Sequence, residues 1–449
     1  MYKMLIVKFG EAFLKSKSTK RKFIQLLIDN LKLKWVKSIK FKNAYLEIYD
    51  DVSPKLVANT FWVYKVEIVD NYDFPDDFDL DNLDDEQYAE YVLNEIFKKV
   101  KNKLSKWEKF RLSVVRENKS FPFNSLQIQT LLGKKLEKEV WAIADYKNYN
   151  TEIKIRILKS WYWIWSSKDE IKGLGWLPYW IEWKALSLFS WWIDSPVATF
   201  LAAKRWVRQD FLFLNIPDSD LLLAQNYKIY EFLKSEYWIF GKFYQLKVKK
   251  YIQHIKQKIP EWLRQIIFKI FLYKISSLVS SKFKIDVLIN WENLGQVSTQ
   301  TLTNLTLLNK VTDKFIIRPL VCFDKVEIID LAKKIWTYDL SIQIKETCSL
   351  EKHSNSRIKK IKEIFELYNS LWFNEEEIVK HIELISSLPN FDFYKLKVSE
   401  PKGELINLDK ICDFKPSKDK TYTFTCSSWY KASQVAYEWY KKWYNTYWL

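Results

Sequence analysis

Leu186-Ser187-Leu188-Phe189-Ser190-Trp191-Trp192-Ile193-Asp194-Ser195 is the stretch that decides the fold of this chain. Residues 185–189 form a short apolar run that is typical of a buried strand, and residues 196–205 are predicted to form a helix. A tight loop between a strand and a helix N-terminus presents backbone N–H groups to an anion, and the helix dipole adds to the attraction. The segment therefore predicts a phosphate-binding loop.

The side chains of this loop bear on the same chemistry. Ser190 and Ser195 can donate hydrogen bonds to phosphate oxygens, and Asp194 can hold a Mg²⁺ ion that bridges a pyrophosphate group. Trp191 and Trp192 oppose this interpretation, because a large side chain fills the space that a phosphate needs, and glycine is expected at both positions. An ordinary apolar strand-to-helix turn is the alternative.

Glycine and tryptophan occur at unusual frequencies. The chain has 7 glycines and 22 tryptophans among 449 residues. Glycine averages about 7% of residues, which predicts about 31 for this length. The two observed counts together come close to that value. Many tryptophans therefore look like glycine positions.

The places where tryptophan occurs agree with its frequency. Trp206, Trp336 and Trp443 each follow basic residues at the end of a helix-like run, where a helix favours glycine with positive φ. Residues 173–180 also resemble a glycine-rich loop. We hypothesise that UGA codons of the gene specify glycine and were translated as tryptophan. A genuinely tryptophan-rich protein is the alternative.

Outward from the loop, the pattern predicts an α/β domain. Further strand-like runs alternate with helices, which is typical of a doubly wound parallel sheet. These runs are Val207–Asn215, Phe243–Val248, Asp286–Ile289 and Phe315–Ile317. The N-terminal part instead reads as small α+β units, with a hairpin formed by Thr151–Lys159 and Trp161–Trp165. A small C-terminal domain is predicted from a strand at Thr421–Cys426 and a helix at Ser433–Lys442.

Composition limits the class of protein. Hydrophobic residues make up 48% of the chain, which is enough for folded cores. The net charge of +17 favours a polyanionic partner such as nucleic acid, with a solvated lysine-rich surface as the alternative. Residues 1–8 have too short an apolar core for a signal peptide, and charges interrupt the longest apolar run, so no membrane association is expected. None of the four cysteines lies in a CxxC pair, which favours a cytoplasmic protein with reactive thiols.

Two further motifs lie after predicted strands of the α/β domain. Residues 290–301 follow the strand at 286–289, and Trp291 within them is interpreted as glycine. Arg318 and Lys325 follow the strand at 315–317. Because open α/β sheets bind ligands at the carboxyl ends of their strands, both cations are expected to neutralise phosphate charge. A solvated pair of surface cations is the alternative.

Two cysteines stand in settings that suggest chemistry. Cys426 ends a predicted strand and enters a loop that leads to a helix N-terminus, with Trp429 interpreted as glycine. A loop of backbone amides lowers a thiol pKa and suits a thiolate or persulfide. Cys348 follows the last strand–helix unit of the α/β domain, although a lone cysteine is more often a buried apolar residue. Cys322 and Cys412 are taken as structural.

Together these motifs resemble the tRNA 4-thiouridine synthase family, also called the tRNA sulfurtransferase family. The resemblance covers most of the chain. It is carried by Lys8–Glu11, Lys20–Phe23, Phe121–Ser125, Ser190–Ser195, Gly295–Gln300, Arg318–Leu320, Asp324-Lys325 and Cys426–Ala432.

The resemblance implies a multidomain α/β and α+β protein. Its expected parts are a ferredoxin-like domain (1–57), a THUMP RNA-binding domain (58–165), a PP-loop adenylation domain (166–353), a helical linker (354–380) and a rhodanese-like domain (381–449). The usual first strand of a rhodanese-like domain is not recognisable around residues 382–388.

The resemblance also implies a mechanism. ATP, with Mg²⁺, adenylates a uridine of tRNA, which the resemblance places at U8. A cysteine desulfurase charges Cys426 with a persulfide, the sulfur is transferred to give 4-thiouridine, and Cys348 forms a transient disulfide with Cys426. A role in supplying sulfur for the thiazole of thiamine, a sulfur carrier protein and a homodimer are further possibilities that the resemblance raises.

By the same resemblance, Asp194, Lys325, Cys348 and Cys426 are catalytic, and Asp194 also holds the metal. The implied ATP contacts are Leu188, Phe189, Ser190, Trp191, Trp192, Ser195, Lys269, Trp291 and Gln300. Two other functions stay open. A non-catalytic RNA-binding relative is expected if the loop tryptophans are genuine, and a PP-loop ligase for a small molecule would leave the THUMP-like and rhodanese-like segments unexplained.

Overall fold

A computed structural model describes most of the chain. The described residues are 2–10, 16–42, 44–74, 85–117, 119, 121–158, 161–175, 182–205, 207–342, 361–387, 396–407, 417–425, 432, 436, 440 and 445–448. The chain divides into two compact units, residues 1–179 and 180–449. No helix within these described ranges is long and apolar enough to cross a membrane.

The first unit is built on a nine-stranded mixed sheet with the order β2-β3-β1-β4-β8-β7-β5-β6, in which β9 also pairs with β4. The predicted hairpin is present, because β7 and β8 pair antiparallel. The elements of this unit are β1 (Tyr2–Phe9), α1 (Lys17–Leu33), β2 (Ile39–Lys42), β3 (Tyr45–Ile48), α2 (Pro54–Ala58), β4 (Val63–Asp73), α3 (Asp85–Val100), β5 (Lys109–Arg116), α4 (Ser125–Val140), β6 (Ile143–Ala144), β7 (Thr151–Ile157), β8 (Trp161–Ser166) and β9 (Glu170–Lys172).

Local sequence explains these elements. Asn124 and Gln127 form a capping box that fixes the start of α4. Along β7 every second residue is buried, as a strand with one covered face requires. Apolar side chains of α3, α4, β5, β7 and β8 meet in one core, which includes Ile96, Ile128 and Ile155. The α+β prediction for this part of the chain is consistent with this architecture.

The second unit contains a six-stranded sheet with the order β14-β13-β10-β11-β12-β15. Five strands are parallel, and β15 pairs antiparallel with β12 at the edge. Its elements are β10 (Glu182–Leu188), α5 (Asp194–Lys204), β11 (Val207–Asn215), α6 (Asp220–Tyr237), β12 (Phe243–Lys247), α7 (Lys249–Lys258), α8 (Arg264–Lys282), β13 (Val287–Ile289), α9 (Leu302–Asn309), β14 (Phe315–Ile317), α10 (Lys325–Lys334), α11 (Tyr338–Ser341), α12 (Ile361–Asn369), α13 (Glu375–Lys380) and β15 (Glu383–Ile385).

This strand order positions the candidate site. The chain leaves β10 to form β11 on one side, while β13 pairs with β10 on the other side. The order of the strands therefore reverses beside β10, and such a switch point opens a crevice at the carboxyl ends of the strands. The loop at 190–193 follows β10, and residues 290–301 follow β13. The predicted mixed α/β class is thus confirmed, with one antiparallel edge strand that the sequence pattern did not indicate.

A three-stranded parallel sheet closes the described part of the second unit. It consists of β16 (Glu404–Asn407), β17 (Thr421–Thr425) and β18 (Asn445–Trp448), with β17 in the middle. The predicted strand before Cys426 is β17, whereas most of the predicted helix at 433–442 lies outside the described residues. Residues 383–385, near the expected first rhodanese strand, pair with β12 instead. The rhodanese-like assignment and all five domain boundaries stay predictions.

Seven tryptophans have a left-handed backbone conformation. They make up most of the nine described non-glycine residues with positive φ, and they are Trp35, Trp62, Trp107, Trp141, Trp238, Trp336 and Trp372. Trp141 and Trp238 are the C-cap residues of α4 and α6. Trp35, Trp336 and Trp372 lie one or two residues beyond the C-caps of α1, α10 and α12. This conformation costs an L-residue roughly 1–2 kcal/mol, and glycine is its usual occupant. The backbone thus gives independent support to the glycine hypothesis at these positions.

Two tryptophan-to-glycine substitutions in the first unit test the glycine hypothesis, because they are expected to change the free energy of unfolding in opposite directions. Trp35 is 80% exposed at φ 67°, so Trp35→Gly is expected to relieve backbone strain. The expected gain in the free energy of unfolding is about 1 kcal/mol, measured by urea denaturation. Trp163 lies buried in β8, so the matched substitution Trp163→Gly is expected to cost about 3–5 kcal/mol. A loss of stability in Trp35→Gly would contradict the glycine interpretation there.

Candidate active site

The loop after β10 is closed by the hydroxyl of Ser195. The backbone N–H of Ser190 donates to Ser195 Oγ at 2.9 Å, and that hydroxyl lies 3.4 Å from the carbonyl of Leu188. Ser190 Oγ is buried and has no hydrogen-bond partner among the described residues. The structure therefore uses Ser195 to hold the loop together and leaves the hydroxyl of Ser190 available. The role of either residue as an ATP ligand stays a prediction.

Asp194 is the first residue of α5 and lies buried beside two partners. Lys325 Nζ, at the start of α10, donates to its Oδ1 at 2.6 Å. Gln296 Nε2 donates to its Oδ2 at 3.3 Å. The two residues predicted to be catalytic in this domain are thus brought together across 131 positions of sequence. Gln296 was not named as a site residue, although Gly295 beside it with φ 81° marks a tight loop.

The loop after β13 supplies further polar groups. The N–H of Gly295 donates to the carbonyl of Gln300 at 2.8 Å and closes the loop. Gln300 Oε1 and Gln296 Oε1 are buried atoms that have no partner within the described part of the chain. Trp291 is partly buried and packs against the core of the unit. Together with Ser190 Oγ, the loops at this edge carry three unpaired polar atoms, which is the pattern that a polar ligand would complete.

A buried carboxylate lies beneath the same edge. Glu292 accepts from Lys269 Nζ at 2.8 Å, from the hydroxyl of Tyr273 at 2.6 Å and from Arg318 Nε at 3.0 Å. Burial alone would raise the pKa of Glu292, but Lys269 and Arg318 outweigh burial and hold the pKa below its usual range. Burial, followed by the charge of Glu292, raises the pKa of Tyr273 well above its usual value. The cluster therefore contains one carboxylate and two cations.

Sequence reasoning found only the cations of this cluster. Arg318 was predicted to neutralise phosphate charge, and Lys269 was an ATP contact that the resemblance implied, whereas Glu292 and Tyr273 were not named as site residues. The signal for Glu292 was an acidic residue inside an otherwise uncharged motif that follows a buried strand.

The remaining predicted site residues divide into two groups. Leu188 and Phe189 are buried at the end of β10, where Phe189 packs against Phe211 with ring centroids 5.3 Å apart. Trp191 and Trp192 lie in the loop with ring centroids 6.0 Å apart. None of the three site tryptophans has positive φ, so their glycine interpretation rests on the motif alone.

The cysteines give little information. Cys348, Cys412 and Cys426 lie outside the described residues, so their predicted roles and the predicted disulfide stay predictions. Cys322 is a free and exposed thiol, and its structural role stays a prediction.

The described residues show no metal site formed by the protein alone. The described residues contain no group of three or more His, Cys, Asp or Glu side chains that could hold a metal ion. A Mg²⁺ ion at Asp194 would need most of its ligands from phosphate oxygens and water, as Mg²⁺ bound to a nucleotide usually has.

Known proteins are similar to this chain in sequence and in fold. A family model described as thiamine biosynthesis protein (ThiI) matches residues 181–373. A tRNA sulfurtransferase of Mycoplasmopsis agalactiae is 32% identical over 355 residues, which cover 78% of this chain and 89% of the relative. The chain belongs to the tRNA sulfurtransferase family. It is therefore an enzyme, as the resemblance predicted. A second tRNA sulfurtransferase, of Alkaliphilus oremlandii, is 31% identical and aligns over 88% of its length.

Solved structures share the fold of this chain. A 4-thiouridine synthetase, crystallised with RNA and bound ATP, superposes with a TM-score of 0.71 at 22% identity. The match covers 86% of this chain and all of that chain. A protein of Pyrococcus horikoshii gives a TM-score of 0.51 at 20% identity over 74% of this chain. At these identities the likeness establishes a shared fold.

Proposed function

We propose that this tRNA sulfurtransferase uses ATP to adenylate a uridine of tRNA, U8 by the family resemblance, and replaces its O4 by sulfur to give 4-thiouridine. The observation that carries the proposal is the Asp194–Lys325 pair at the start of α5, next to the loop that follows β10. Family membership assigns the reaction class, and this pair supports the proposal that adenylation occurs at this edge of the sheet.

The site is suited to ATP. The three unpaired polar atoms, on Ser190, Gln296 and Gln300, require hydrogen-bond partners. The helix α5 begins at this loop, so its dipole favours an anion there. In this proposal Asp194 holds a Mg²⁺ ion on the phosphates, and Leu188 and Phe189 form the apolar end of the nucleotide site.

Each protein group then has a defined task. Lys325 holds Asp194 in one orientation and, with Lys269 and Arg318, offsets the negative charge of the triphosphate. ATP supplies the leaving group: O4 of the uridine attacks its α-phosphorus, and pyrophosphate departs.

Sulfur transfer is proposed to use the two cysteines that the resemblance names. The terminal sulfur of a Cys426 persulfide attacks C4 of the adenylated base, Cys348 attacks Sγ of Cys426, and AMP leaves. An external dithiol reductant would return the Cys348–Cys426 disulfide to two thiols before the next turnover and would itself be oxidised to a disulfide. We propose that a cysteine desulfurase donates the persulfide and that the enzyme acts in the cytoplasm as a homodimer. We also propose, as a secondary role of the same chemistry, that it supplies sulfur through a carrier protein for thiamine thiazole.

We also propose that glycine is the natural residue at the seven left-handed tryptophans and at Trp191, Trp192 and Trp291. The left-handed backbone supports the first set, and the phosphate loop supports the second set. Buried strand residues such as Trp163 and Trp448 are expected to be true tryptophans. The coding DNA tests this assignment. UGA codons are expected at all the proposed glycine positions, and UGG codons are expected at Trp163 and Trp448. UGG codons at 191 and 192 would refute the recoding of this loop.

Cys426→Ala separates the two half-reactions. The variant is expected to yield no 4-thiouridine with a cysteine desulfurase as donor, because no persulfide can form, while it still cleaves ATP in the presence of tRNA. Nucleoside analysis of the treated tRNA by mass spectrometry and a pyrophosphate assay measure the two steps. Cys322→Ala, which changes an exposed thiol, is the matched control and should retain both. Normal 4-thiouridine in Cys426→Ala would exclude the persulfide step.

Membership of the tRNA sulfurtransferase family counts against the alternative of a non-catalytic RNA-binding protein. That alternative would require the two indole rings of the loop to be genuine. It predicts that the natural protein binds tRNA without cleaving ATP.

A further inference from the structure

The buried cluster around Glu292 joins three elements of the second unit. Glu292 lies just after β13, Arg318 follows β14 directly, and Lys269 extends from α8. All three converge at the carboxyl edge of neighbouring parallel strands, where open α/β sheets bind ligands. Glu292 is only 2% exposed, so it is not accessible to a substrate.

The hydrogen bonds of the cluster orient both cations. Lys269 and Arg318 each give one donor to a different oxygen of Glu292. Arg318 Nη2 also donates to the hydroxyl of Tyr273 at 3.1 Å, and Asn290 Nδ2 donates to the same hydroxyl at 2.6 Å. Since Tyr273 itself donates to Glu292, its hydroxyl is fully used. The network therefore holds Arg318 through two side chains and Lys269 through Glu292.

The cations keep donors to spare. Within the described residues, Lys269 Nζ uses one of its three N–H groups, and Arg318 Nη1 is not used. Their side chains are 15% and 11% exposed, which gives each head group limited access to the crevice. One carboxylate against two cations also leaves a positive charge on the cluster. This combination suits phosphate oxygens.

We propose that Glu292 is a positioning residue that holds Lys269 and Arg318 side by side as a paired site for the triphosphate of ATP. This rests on the proposed function, because it assigns the pair to the ATP site. Glu292 acts through the two cations and does not touch the nucleotide. A buried ion pair contributes little to stability by itself, so orientation of the cations is the gain expected from this carboxylate.

Binding measurements test the proposal directly. The background is the full chain with Trp191→Gly, Trp192→Gly and Trp291→Gly, and the probes are inorganic triphosphate, ATP and adenosine, measured by calorimetry. Glu292→Gln is expected to weaken triphosphate and ATP by at least about tenfold, the value of one charge-assisted hydrogen bond, and to leave adenosine unchanged. Triphosphate binding equal to that of the parent would overturn the proposal.

A matched control removes a carboxylate elsewhere in the same unit. Asp286 pairs with Lys314 at 3.2 Å before β13 and is largely exposed, and Asp286→Asn should bind all three probes as the parent does. If Glu292→Gln fails to fold, Glu292→Asp is the second variant. Its shorter side chain keeps the charge but can contact only one of the two cations, so the same selective loss of phosphate binding is expected. A Glu292→Asp protein that is folded and binds triphosphate normally would count against the proposal.

Action through Lys269 is tested by a double-mutant cycle. If Glu292 works by orienting Lys269, the losses in Glu292→Gln and Lys269→Gln should sum to more than the loss in the double variant. Additive losses would overturn the mechanism. If the parent binds triphosphate but not ATP, the ATP-activating function is refuted and the proposed Lys269–Arg318 phosphate site is retained. If the parent binds neither probe, both proposals are refuted.

Discussion

The double substitution Trp191→Gly and Trp192→Gly is expected to raise the affinity for ATP by about 100-fold. Trp191 is buried in the loop, and its ring lies 6.0 Å from that of Trp192. Moving such side chains out to admit a phosphate costs about 3 kcal/mol, and each 1.4 kcal/mol changes the affinity about tenfold. Glycine also lets the backbone N–H groups approach the phosphate directly.

Calorimetry with ATP on the chain as written and on the double variant measures this effect. Trp262→Gly is the matched control, because it removes a half-exposed tryptophan from the same unit outside the loop, and it should leave the affinity unchanged. Equal affinities before and after the double substitution would mean that the rings do not obstruct the nucleotide.

Asp194→Ala is expected to reduce adenylation by about 100- to 1,000-fold, the range seen when a group that stabilises transition-state charge is removed. The variant loses the proposed Mg²⁺ ligand and also leaves Lys325 without the carboxylate that it contacts at 2.6 Å. Pyrophosphate release in the presence of tRNA measures this step, and 4-thiouridine in the product tRNA should fall in parallel.

The control for Asp194 lies on the same helix as its partner. Asp330 of α10 is exposed, so Asp330→Asn should retain full activity. Residual adenylation within tenfold of the parent in Asp194→Ala would remove this carboxylate from the proposed mechanism.

Local patterns predicted much of this fold. The strand, loop and helix around Ser190 follow from an apolar run and a helix start within about 20 residues, and such short-range signals are readable. The edge strand β15 was missed, because only three residues pair with β12 and their partners are 138 or more positions away. Tertiary pairing of this kind leaves no periodic pattern in so short a segment.

In the candidate site too, residues within local motifs were predicted, and residues whose role depends on tertiary contacts were not. Asp194 and Lys325 were predicted from motifs and lie together in the structure. Glu292 and Gln296 were not predicted as site residues, because their importance comes from partners at 269, 318 and 194 that only the folded chain brings near. Burial of a charged side chain inside a motif is a property of three-dimensional packing, and the sequence alone carries no direct mark of it.

The left-handed tryptophans have a consequence outside enzymology. A backbone angle that glycine adopts at less cost than other residues behaves as a physical check on a translation table, because the fold favours glycine there whatever the codon is taken to mean. Trp35, Trp336 and Trp372 follow helix ends, whereas Trp163 and Trp165 fill a core. Positive φ at a tryptophan of this chain therefore predicts a UGA codon, and a tryptophan buried in a strand predicts UGG, whereas Trp191, Trp192 and Trp291 lack positive φ and depend on the motif.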